Sequence, residues 1–142
     1  MALEAFFEDY RRALVRGDVA AILRAYRTPL PVVRPDRVRT VETVEELREE
    51  LAKIVDFHRW SGMADLLIDG YREDGFPEGL TLVSLTWRPL DADGAEIARI
   101  DVTYAVRPVR DGARIAAVVA HNEERRRQPI IREALSAMEG AG

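Results

Sequence analysis

The hydrophobic spacing of this chain changes period once. Up to about residue 58 apolar side chains recur at helical intervals, and from about residue 62 they alternate. A chain that places helices first and strands afterwards is not a wound parallel sheet, in which the two alternate. It sets its helices against a sheet made from its own second half, an α+β arrangement.

Leu3, Phe6, Phe7, Tyr10 and Leu14 form the apolar stripe of a helix over residues 3–16. Gly17 stops it, because glycine accepts the left-handed conformation that ends helices. Asp18 is placed to cap a second helix whose stripe is Val19, Ile22, Leu23 and Tyr26. The tight Gly-Asp joint makes the two a helical hairpin. Pro29, Pro31 and Pro35 then forbid helix and leave an extended, irregular stretch through Thr40. Thr43 and Glu46 are a capping box. The third helix it opens carries Val44, Leu47, Leu51, Ile54 and Val55 and ends near His58. The alternating half predicts a strand around Leu66 and Ile68, a turn-rich connection from Gly70 to Gly79, and strands over 80–88, 95–107 and 114–121. Asp91 to Gly94 and Asp111-Gly112 supply the hairpin turns of this antiparallel meander. Gln128-Pro129 opens a short C-terminal helix with Ile130, Ile131, Ala134, Leu135 and Met138.

Composition excludes several chemistries. Among 142 residues there is no cysteine, so disulfides, thiolate metal sites and cysteine nucleophiles are ruled out. Two histidines, His58 and His121, are too few for a histidine-rich metal site, and no metal or cofactor is expected. With 21 basic and 25 acidic side chains the charge is −4, against the usual basic excess of a nucleic-acid protein. The N-terminus lacks a basic region followed by an apolar one, and no apolar run reaches membrane length. The expectation is one cytoplasmic domain over residues 1–142 that binds neither nucleic acid nor membrane.

On the 95–107 strand, Ile100, Val102, Tyr104 and Val106 share one side. Ile97, Arg99, Asp101, Thr103 and Ala105 share the other. With helices over the mixed side, the fully apolar side needs another cover. This predicts a homodimer through the outer sheet face.

The element order with its short joints resembles the nuclear transport factor 2-like superfamily, which includes ketosteroid isomerases, SnoaL-like polyketide cyclases and scytalone dehydratase. The residues that carry the resemblance are Tyr10 to Leu23, Leu85-Thr-Trp87, Asp93-Gly94, Asp101-Val-Thr-Tyr104, Asp111-Gly112 and Ala120-His-Asn-Glu123. The resemblance implies a cone of three N-terminal helices on a curved antiparallel sheet, with an apolar cavity and dimerisation through the sheet. Tyr10 falls where ketosteroid isomerases place the tyrosine that binds the substrate oxygen, and Asp101 where they place a protonated aspartic acid sharing that task. The general base belongs in an Asp-Pro step, which here reads Arg34-Pro35. Arginine stays protonated and abstracts no proton; Asp36 substitutes only if the loop shifts by two residues.

Each candidate has two readings. Tyr10 is a pocket donor or a core phenol with one partner. Asp101 is a ligand-facing acid or the partner of Arg99. His121 shares parity with Ile115, Ala117 and Val119, which puts it on the helix side as a base or a rim residue. His58 reads as a cationic partner of a helix C-terminus. Trp60 and Trp87 line a cavity or plug it, Thr103 stands beside Asp101, and Arg34 with Arg37 and Arg39 offers planar forks to an anion. Three functions follow. The first is a dimeric binding domain for a small apolar or amphipathic molecule, contacted by Arg34, Trp87, Thr103 and Trp60. The second is a cofactor-free isomerase, dehydratase or cyclase with His121 as base and Tyr10 and Asp101 as donors. The third is an oligomerisation or accessory domain with a filled cone. Fold alone does not choose among them.

Overall fold

In the computed structural model of the protein, residues 2–125 are described, with side-chain surroundings through His121. The elements are α1 (Glu4–Arg16), α2 (Val19–Leu23), β1 (Leu30–Arg34), β2 (Arg37–Val41), α3 (Val44–Trp60), β3 (Asp65–Gly75), β4 (Thr81–Leu90), β5 (Ala98–Val109) and β6 (Gly112–Arg125). The strands form one six-stranded mixed sheet in the order β2-β1-β6-β5-β4-β3. Its neighbours are antiparallel except β1 and β6, which run parallel. The helices pack on one face in a cone-like α+β arrangement. The C-terminal helix expected after Gln128 lies outside the described residues.

Helix ends follow the sequence. Gly17 closes α1 at φ 69° and returns its N–H to Leu14 O. Asp18 Oδ1 accepts from Ala21 N at 3.1 Å and starts α2. Thr43 Oγ1 accepts from Glu46 N at 3.1 Å, while the Glu46 carboxylate accepts from Glu42 N at 2.8 Å, one residue earlier than a standard capping box. A Cβ on Gly17 would sit 2.8 Å from Arg59 Nη2 and 3.1 Å from Val55 Cγ1, on backbone that L side chains avoid. Gly17→Ala should therefore lower stability by about 1–2 kcal/mol, read as an earlier urea midpoint. An unchanged midpoint would remove the argument from left-handed backbone.

One cap comes from elsewhere in the chain. Leu3, before α1, has no side-chain cap of its own. Its N–H donates instead to Glu73 Oε2 of β3 at 2.7 Å, and the Tyr71 hydroxyl donates to the same oxygen at 2.6 Å. A carboxylate thus meets the positive end of the helix and ties it to the sheet edge.

Four expectations are corrected. The stretch over 29–40 is not irregular but a hairpin of β1 and β2, closed at Pro35-Asp36, where a proline-containing turn is at ease. Val32 and Val33, which keep their N–H groups, pair onward to Val118 and Val119 of β6. Next, Gly70 lies inside β3. At φ 58° it sits where the register with β4 shifts between Asp69 and Arg72, so it marks a bulge rather than a turn. The third concerns α3, which continues past His58 to Trp60.

The last correction concerns the sheet faces. Val102, Tyr104 and Val106 are buried in one core with Phe7, Tyr10, Ile22 and Leu51, so the helices cover the fully apolar side of β5. The helical stripes are the chain's own apolar partners, and they take the apolar face. The mixed face, with Ser84, Thr86, Asp101 and Thr103, is turned outward and half-buried. The apolar-face premise for a second copy therefore fails. Ile97 lies under the end of α3, in a small cluster with Ala98, Phe57, Met63 and Ile100. No helix among the described residues is long and apolar enough to cross a membrane.

Candidate functional site

The concave side of the sheet is occupied by aromatic side chains from four elements and one joint. Phe7 of α1 is 0% exposed. Its ring lies 5.2 Å from that of Tyr104 on β5 and 6.2 Å from that of Tyr71 on β3. Tyr10, one helical turn on, meets Trp87 of β4 at 5.7 Å and Tyr26, just after α2, at 5.9 Å. Such ring pairs add to the free energy of simple burial.

The polar atoms of this cluster satisfy one another. The Tyr10 and Tyr26 hydroxyls are 2.6 Å apart, and Trp87 Nε1 donates to the Tyr104 hydroxyl at 2.8 Å. Burial raises the Tyr10 phenol well above its ordinary value, reinforced by the neighbouring Tyr26 and Tyr104. Burial also pushes Tyr26 up to about 12 and Tyr104 higher still. All three are neutral at physiological pH: they donate or accept hydrogen bonds but provide no base. Among the described residues no buried side-chain nitrogen or oxygen lacks a partner. No group of three or more His, Asp or Glu among them is placed to hold a metal ion.

The other candidates lie elsewhere. Thr86 Oγ1 on β4 donates to Asp101 Oδ1 at 2.6 Å on the outward face. Arg99, the partner expected for Asp101, pairs at 2.7 Å with Glu96. The same face carries a row of contacts across three strands, Ser84 Oγ to Thr103 Oγ1 at 2.8 Å and Thr103 Oγ1 to His121 Nε2 at 2.5 Å. His121 is exposed.

Its parity with Ile115 is broken by a bulge. Ala105 pairs with Ala117 but Val106 with Ile115, so Ala116 is an extra residue. One inserted residue turns the side chains after it to the opposite face until the next register shift, which falls at His121 itself, between the pairs Asp101–Asn122 and Val102–Ala120. Ile115 is 0% exposed in the core, whereas Ala117, Val119 and His121 point away from it. The sheet thus separates Tyr10 from Asp101 and His121, and the three do not converge.

Nor are the remaining candidates gathered. Trp87 is inside with Tyr10, and Thr103 is outside with His121. Trp60 is 55% exposed at the end of α3, stacked on Phe57 at 6.5 Å. Arg34 ends β1, exposed and opposite Arg37 across the turn. His58 is corrected as well: burial pushes it down to about 4, so at neutral pH it is an uncharged ring and no cationic partner for the helix end. Tyr104 is a member of the site that sequence motifs do not mark. Its signal is the alternation that puts it on the same face as Val102 and Val106.

The family model of the NTF2-like protein (DUF6841) matches residues 2–123. Against curated proteins nothing matches. Among solved structures, an NTF2-like protein of unknown function from Shewanella oneidensis is similar with a TM-score of 0.64 and 14% identity, over 82% of this chain and 93% of that one. A ketosteroid isomerase-like protein from Erwinia carotovora atroseptica gives 0.61 at 17% identity, over 84% and 92%. A protein of unknown function with a cystatin-like fold from Nostoc punctiforme gives 0.64 at 12% identity, over 85% and 92%. At these identities the likeness is one of fold.

Proposed function

Since the chain belongs to the NTF2-like protein family DUF6841, a scaffold that hosts binding, catalysis and assembly alike, we propose that it serves as an association domain with a filled cone. The observation that carries this reading is the aromatic cluster. Phe7, Tyr10, Tyr26, Trp87 and Tyr104 occupy the concave side, and their hydroxyl and indole groups already have partners among themselves. A ligand held there by Tyr10 and Trp87 has to displace those bonds and separate packed rings. A proton-transfer site built from His121, Tyr10 and Asp101 needs groups that stand on opposite faces of the sheet.

The working surface in this reading is the outer face, and the partner is a second copy of the chain. Along β4, β5 and β6 that face presents short side chains, Ser84, Thr86, Thr103, Ala105, Ala117 and Val119, which let two sheets approach closely. Arg88 and Arg99 flank it beside Glu96, so both signs of charge are present. A two-fold axis lays such a patch on itself, with cations of one copy near carboxylates of the other.

Sedimentation velocity at micromolar concentration should find a dimer. Thr103→Arg, in the middle of the face, should shift it to monomer with the circular dichroism spectrum unchanged. A wild-type monomer, or a dimer indifferent to this substitution, would overturn the interface. Native mass spectrometry with contact mapping should find no small molecule retained within the aromatic cluster. A retained apolar molecule whose contacts map to Phe7, Trp87 and Tyr104 would overturn the filled cone.

A further inference from the structure

The helical hairpin leaves an open groove on its own surface, separate from the outer sheet face. It has a volume of about 410 Å³ and lies between α1 and the segment Ala21 to Ala25. Its apolar lining is Phe6, Tyr10 and the small side chains Ala13, Ala21 and Ala25. From Phe6 to Arg16 it follows α1 for about 15 Å, the rise of ten helical residues.

The rim is cationic. Arg12, Arg16 and Arg24 line it, against the single carboxylate of Asp9. This local excess opposes the −4 of the chain as a whole. The three guanidiniums are also poorly neutralised. Arg12 reaches Glu8 at 3.4 Å, but that carboxylate is held more closely by Arg11, at 2.6 Å. Arg16 stands 3.7 Å from Asp18, whose other oxygen caps α2. Arg24 has no carboxylate partner among the described residues. Guanidiniums beside a trough whose lining is part apolar and part polar suit one anionic head carrying a short apolar tail.

We propose that this groove binds an anionic amphiphile, its head held by Arg12, Arg16 and Arg24 and its tail laid over Phe6, Tyr10 and the alanines. The charge of the rim selects the head, and the shortness of the trough selects a single aliphatic chain over a folded partner. The site shares Tyr10 with the buried cluster but leaves the Tyr10–Tyr26 hydrogen bond in place, so binding there does not require the cone to open.

The test is titration of the full chain, carrying ¹³C-methyl alanine, with decanoate and decyl phosphate below their micelle concentrations. Decanol and decyltrimethylammonium serve as neutral and cationic controls. Saturable shifts are expected at Ala13, Ala21 and Ala25 with either anion, and the ratio of the two affinities distinguishes a carboxylate from a phosphate head. Decanol should bind at least about tenfold more weakly, the usual worth of a charge-assisted contact, and the cation weaker still. Arg24→Ala and Arg16→Ala should each weaken the anions about tenfold, Arg24→Lys less. Ala21→Trp should block the trough while leaving the charge in place. Decanol binding as well as decanoate, Arg24→Ala and Arg16→Ala without effect, shifts confined to residues outside the groove, or no saturable shift at all would each overturn the proposal.

Discussion

Phe7→Ala is expected to lower the free energy of unfolding by about 3–5 kcal/mol, the range for removing a fully buried aromatic ring. Phe7 is 0% exposed and stands where the first helix meets the sheet, with its ring against those of Phe6, Tyr10, Tyr71 and Tyr104. Truncation removes the apolar area and opens a cavity under α1 that the strands cannot close, because each is fixed by its ladder. A domain of this size has about 5–15 kcal/mol in all, so the variant should be only marginally folded at ambient temperature. Two comparisons make the result specific. Tyr10→Phe keeps the ring and deletes one hydroxyl, leaving Tyr26 without that partner, and should cost about 1–2 kcal/mol. Val38→Ala, at a position 69% exposed on β2, should change stability by less than about 0.5 kcal/mol. Urea unfolding of the four proteins gives the ranking. A Phe7→Ala cost below that of Tyr10→Phe would mean that the concave side is loosely packed, and the filled-cone reading would fall with it.

What the sequence shows and what it hides in this protein have a common physical reason. Interactions between near neighbours in the chain are legible. The Gly17-Asp18 joint, the Thr43 cap on Glu46 N and the Leu47-Leu51-Val55 stripe are set by residues within four positions of each other and are found as read, whereas Val44 and Ile54, expected in that stripe, are exposed. Interactions between distant residues are not. Nothing near Leu3 announces that its N–H is capped by Glu73, 70 positions away. The bulges are a second kind of blindness. The register shifts at Gly70, Ala116 and His121 each insert one residue against a partner strand, and a period-2 reading has no means of detecting a count that depends on the other strand. The bulge at Ala116 is what takes His121 out of parity with Ile115. The error in β5 has another origin. The alternation correctly separated Val102, Tyr104 and Val106 from Asp101 and Thr103, but the pattern does not say which side the helices choose. The energetics choose it: three apolar helical stripes gain most by meeting the apolar face.

His58 should make the fold labile to mild acid, in a pH window distinct from that of the carboxylates. Burial at the end of α3 lowers its pKa from an ordinary 6.5 to about 4, so the folded protein holds it neutral where the unfolded chain protonates it. Between these values the unfolded state binds more protons, and stability therefore rises with pH. Its contribution is fully present above about pH 6.5 and is lost progressively as pH falls towards 4. Linkage makes the difference between pH 7.5 and pH 5 about 2 kcal/mol for a fully shielded ring, and about 1–2 kcal/mol once the partial exposure of His58 is allowed for. Carboxylates act lower. Glu8, held below its ordinary 4.5 by the hydrogen bond from Arg11, favours the fold until it is protonated at still more acid pH. His58→Phe preserves a planar ring beside Phe57, whose centroid lies 6.0 Å away, and removes the titrating group. Urea unfolding of the wild type should lose this increment between pH 7.5 and 5, and the variant should lose at most a few tenths of a kcal/mol there. Parallel pH profiles for the two proteins would show that His58 is solvated in the folded state, and the neutral ring assigned to the end of α3 would have to be abandoned.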